Sequence, residues 1–114
     1  MNEKESKVCD IIRALIRKTE LDGTEWMKIG RKARCISSPK VHIEIEKRDS
    51  MYYFEIVRRG VAEDIYEYSG RAGCQETDLD CLIVQLHACV SSWLDRENDS
   101  LLDSTFKELT DDEI

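Results

Sequence analysis

The chain is poor in the residues that break regular structure. It has one proline, Pro39, and five glycines in 114 residues. With so few breakers, no Pro- or Gly-rich linker divides it, and its length suits one small domain. Histidine is scarce too, only His42 and His87, which leaves little for a zinc site or a catalytic triad. There is no glycine-rich phosphate loop: Gly70, Arg71, Ala72 and Gly73 supply only two of the three glycines of a dinucleotide fingerprint and do not sit between a parallel strand and a helix. No G-x-S-x-G nucleophile turn occurs. The charged opening at residues 1–7, with no apolar segment behind it, predicts no signal peptide. These absences leave a fold class and several surfaces, but no reaction.

Cysteine is present in an odd number, at positions 9, 35, 74, 81 and 89. None forms the close C-x2-C pair of structural zinc sites. His87 and Cys89 lie two apart, about 200° around a helix, and cannot easily meet on one ion. Small buried hydrophobes with reduced thiols, in a cytoplasmic protein, are the better account. No metal and no cofactor is expected. A pairing of Cys35 with His42 lacks any defined geometry, so no catalytic residue is expected either.

What the chain does have is strong periodicity. Leu79, Leu82, Ile83, Leu86, Val90, Trp93 and Leu94 fall on one stripe of a helix spanning residues 77–94. Thr77 can cap it, and Asp78 and Asp80 suit its positive end. Asp80, Gln85 and His87 make it too polar for a membrane. Residues 4–20 predict a second helix, with Val8, Ile11, Ile12, Leu15 and Ile16 on one face and Gly23 as terminator. Residues 24–39 give no clear period. After them, 41–46 alternates strictly, 51–57 carries Tyr52, Phe54 and Ile56 inward, and 61–68 supplies a third strand. The expected fold is α+β: an N-terminal helix, a three-stranded antiparallel meander, and a long C-terminal helix packed on the same sheet face. A short helix follows, starting near Ser100 and loosely docked. Residues 1–94 form the domain and 95–114 an acidic tail.

Charge is unevenly spread. The net is −7, of which residues 95–114 hold −6. Against this stands a basic stretch, Lys28, Arg31, Lys32, Arg34 and Lys40, with no acid from 26 to 40. Four of these, Lys28, Arg31, Lys32 and Arg34, are candidate anion-binding residues. The overall acidity argues against nucleic acid and for pairing with a protein or with the chain's own tail. Glu44, Glu46, Glu55 and Glu67 are strand residues expected to face water. The favoured partner surface is the tail, through Leu101, Leu102, Phe106, Asp111 and Asp112, with Tyr53 and Glu55 on the open sheet face second. Aromatics among charges suit protein contacts, and a homodimer is possible because a small sheet exposes edges.

Lys18, Thr19, Gly23 and Trp26 form a pattern that resembles small bacterial, phage and gene-cassette proteins of unknown function. Those open with a helix ending in Lys-Thr, then a Gly and a Trp, then a three-stranded sheet and a closing helix. The resemblance implies a prokaryotic or mobile-element origin and brings no catalytic residue. The chain departs from it in a longer Thr19-to-Gly23 spacing and a basic insert at 30–34. The function expected is that of a non-enzymatic modulator, immunity- or inhibitor-like, that binds protein. A nucleic-acid binder and a self-associating structural protein are the alternatives. If the basic stretch holds nucleic acid, reversing the charge at Arg31, Lys32 and Arg34 abolishes binding in a salt-titrated mobility shift.

Overall fold

The computed structural model describes residues 3–60, 64–71 and 77–111. Helix α1, Glu3–Glu20, leads into five strands: β1 Met27–Ile29, β2 Lys32–Ser38, β3 Val41–Arg48, β4 Met51–Arg58 and β5 Asp64–Arg71. Helix α2, Asp78–Asp111, closes the chain. The strands form one antiparallel meander in the order β1-β2-β3-β4-β5. Both helices pack against each other and cover one face of it.

The core is where the apolar periods intersect. Ile12 and Leu86 are fully buried, as are Ile45, Phe54, Leu79, Ile83 and Val90 to within about one per cent. Ile43, Tyr52 and Phe54 face the helices as their alternation requires. Ile11 does not follow its stripe and stays 40% exposed.

The sheet has five strands rather than the three expected. Residues 27–38 form a β-hairpin whose two-residue turn, Gly30 and Arg31, joins Ile29 to Lys32. Gly30 has φ +62° and Arg31 does not share that left-handed conformation, so glycine is needed at the first turn position. Ala33 and Cys35 face the core and the cations face away. Two small inward residues made a weak apolar alternation, and the basic load concealed it. The third expected strand is shifted: β5 begins at Asp64, and residues 61–63 lie outside the described ones.

Helix α1 ends in a Schellman motif. Gly23 N–H donates to Lys18 O at 2.7 Å and Asp22 N–H to Thr19 O at 3.2 Å. The left-handed residue is Asp22 (φ 55°), not Gly23. Asp tolerates that conformation, and its carboxylate accepts a hydrogen bond from Trp93 Nε1 at 3.1 Å. The same helix end holds Thr19, whose hydroxyl donates to Leu15 O (2.7 Å) and accepts from Trp26 Nε1 (2.9 Å). Two tryptophans thus fix the α1 terminus against α2 and β1.

Helix α2 is continuous. No break separates the core helix from the expected terminal one, because residues 95–100 contain neither Gly nor Pro. Its start is as expected, with Asp80 N–H donating to Thr77 Oγ1 at 3.1 Å. At 34 residues it is about 51 Å long. That length explains the 63 Å long axis of the molecule. No described helix is long and apolar enough to cross a membrane.

Replacing Thr19 with Val keeps the shape but strands Trp26 Nε1 in the core. The expected loss is about 1–3 kcal/mol in urea denaturation followed by tryptophan fluorescence.

Candidate functional site

The open sheet face is set by cross-strand register. Arg34, Glu44, Glu55 and Glu67 form one row across β2 to β5, and Lys32, Glu46, Tyr53 and Ser69 form the next. A depression of about 460 Å³ lies over these two rows. Glu44 and Glu46 do not face water as expected; each is only 6% exposed. A buried carboxylate needs partners, and both have them. Arg34 donates to one oxygen of Glu44 through Nε (2.8 Å) and Nη2 (2.5 Å), and Lys32 Nζ donates to the other at 3.4 Å. Arg48 Nη2 reaches Glu46 at 3.0 Å and stands over the Tyr53 ring, 5.8 Å from its centroid.

These contacts split the carboxylates. Burial pushes Glu44 up, but the hydrogen bond from Arg34 and the charges of Lys32 and Arg34 outweigh it and hold the group below its usual range. Glu55 has no such clamp. Burial raises it, and the charges of Glu44 and Glu67 add to the rise. Glu44 therefore stabilises the fold above the ordinary carboxylate range and loses that contribution as pH falls through its lowered value. Glu55 has the opposite sign: its cost grows as pH rises through its raised value.

The candidate anion-binding residues all lie on the β1–β2 hairpin but in two groups. Lys32 and Arg34 are committed to Glu44. Lys28 and Arg31 form no ion pair among the described residues. They rim a crevice of about 260 Å³ where the hairpin meets α2 at Leu94 and Asp95, floored by Ala33, Ile45 and Val90.

The candidate tail residues lie elsewhere. Every residue from Asp95 to Asp111 is exposed. Leu101 (63%), Leu102 (59%), Phe106 (70%) and Leu109 (65%) share one side of the α2 overhang and touch no core. The tail is an undocked continuation of α2 rather than a docked short helix. Asp111 is its last described residue, and Asp112 lies outside them. At about 100° per residue, these four centre about 130° from the buried stripe of α2. They lie much nearer the side on which His87 meets Tyr52 and Asp80 accepts from Tyr68 Oη (2.6 Å). The overhang thus turns its apolar side towards the level of the sheet, beyond the sheet's edge. The structure does not bring Tyr53 and Glu55 together with this tail, because they lie on the face away from the helices.

Met27 (57%), Ile29 (39%) and Ile36 (65%) are exposed apolar residues along the β1–β2 edge that sequence reasoning missed. The only signal for them was the Gly30 turn. Burial pushes Cys35 up to about 11 and raises Cys9 and Cys89, which keeps them as weak nucleophiles. Cys74 lies outside the described residues. Among those described, no three His, Cys, Asp or Glu side chains are grouped to hold a metal ion.

Compared with known protein families, curated proteins and solved structures, the chain matches none.

Replacing Glu55 with Gln removes the unclamped charge. The variant melts higher than wild type at pH 7, by less than about 1 kcal/mol for a partly screened site. The advantage vanishes near pH 3–4, where the glutamate is protonated anyway, in melts recorded across pH.

Proposed function

We propose that the protein works by binding protein rather than by catalysing a reaction, as a small modulator of the immunity or inhibitor type. One observation carries this reading. Four large apolar side chains, Leu101, Leu102, Phe106 and Leu109, stand 59–70% exposed on a helix that has left its own core. Contiguous apolar exposure of this kind marks a contact surface. Its flanks are acidic, with Asp99, Asp103, Glu108 and Asp111 against a single Lys107, so the surface suits a cationic partner. Tyr53 and Glu55, at 38% exposure for the tyrosine, offer a second contact on the open sheet face. The helix–Lys-Thr–Gly–Trp resemblance supports a mobile-element origin, and the buried thiols of Cys9 and Cys35 suit reduced cysteines in a cytoplasmic setting.

The reading is tested with tagged full-length chain in nuclease-treated lysate of the source organism. Wild type retains a stoichiometric protein, a second copy of the chain included. The L102E/F106E variant loses it while its melting temperature stays unchanged, since exposed substitutions alter stability by less than about 0.5 kcal/mol. Equal retention by the variant would overturn the reading.

A further inference from the structure

Resting on the protein-binding reading of the overhang, we infer that the partner seated on it is a second copy of this chain, with the two overhangs antiparallel about a two-fold axis near residues 100–101. The argument is one of charge, length and register. The base of the overhang lies beside Lys28 and Arg31, which have no ion pair among the described residues. Its outer half carries Asp103, Glu108 and Asp111. Acid meets acid in either arrangement, since Asp95, Glu97 and Asp99 lie on the inner half and a dyad at residue 100 sets Asp103 against Glu97. Only a parallel pair leaves both basic hairpins unmatched. An antiparallel pair sets each acidic end over the other copy's basic hairpin.

The lengths agree with this. From Leu94 to Phe106 is twelve residues, about 18 Å of helix. A dyad at their midpoint, residue 100, places Phe106 of each copy level with Leu94 of the other. Leu94 lines the crevice of about 260 Å³ whose floor is Ala33, Ile45 and Val90 and whose rim carries Lys28 and Arg31 beside Asp95. Phe106, the most exposed of the four apolar residues, meets an apolar floor there, and its neighbours Asp103 and Glu108 meet the rim. Leu101 falls at the axis and faces its own copy, as an isologous contact requires. The open sheet faces of both copies, with Tyr53 and Glu55, are left outward.

Sedimentation equilibrium of the full chain at micromolar concentration decides this. Wild type is expected at twice the chain mass. F106E is expected to be monomeric with an unchanged circular dichroism spectrum. K28E/R31E weakens association by at least ~10-fold, and adding D103K/E108K to the same chain restores it, because the swapped charges again meet across the axis. A wild-type monomer would overturn the inference, as would a dimer indifferent to F106E or a charge swap that fails to rescue. A monomer that still captures a different protein through Leu102 and Phe106 would overturn the second copy as occupant and leave the protein-binding reading standing.

Discussion

A buried carboxylate on the middle strand governs what its neighbours carry. Glu44, 6% exposed at the centre of the sheet, is tolerable only because Arg34 and Lys32 reach it from β2. Removing one partner of such a pair leaves an uncompensated charge and is far more damaging than the pair is stabilising. The basic composition of the hairpin follows from this need. So does the raised state of Glu55, which shares the row but has no cation of its own. A stretch that reads in sequence as a free basic loop is half consumed by its own sheet.

The legible parts of the fold were those with long periods. The stripe from Leu79 to Trp93 and the alternation through Ile43, Ile45, Tyr52 and Phe54 each repeat several times, so chance cannot imitate them. The hairpin at 27–38 was illegible because Ala33 and Cys35 are small and the residues between them are charged. Lys32 and Arg34 are held in their strand by pairing with Glu44, and pairing is a tertiary fact. The end of α2 was misplaced for the opposite reason. Ser100 to Asp103 resembles a capped helix start, yet polar residues without Gly or Pro weaken a helix rather than end it.

The candidate surfaces were legible by type and not by position. Leu101, Leu102 and Phe106 stood out by spacing, but they were expected to dock and instead stand 59–70% exposed. The cations Lys28 and Arg31 were visible, but nothing in the sequence separates them from Lys32 and Arg34. That division depends on which of the four lie opposite an acid in the neighbouring strand. Met27, Ile29 and Ile36 gave no warning, because edge position is decided by the strand order alone.

The unbroken backbone of α2 has a mechanical side. Its inner half is locked by Trp93 to Asp22 and by Tyr68 to Asp80, and no Gly or Pro lies between the lock and the tip. The outer half is therefore a stiff arm whose bearing is set by the body rather than by whatever it touches. Little orientational freedom remains to be lost on contact. Of the two locks, the one nearer the tip is Trp93 to Asp22, so the arm is rooted at the end of α1 as well as on the sheet.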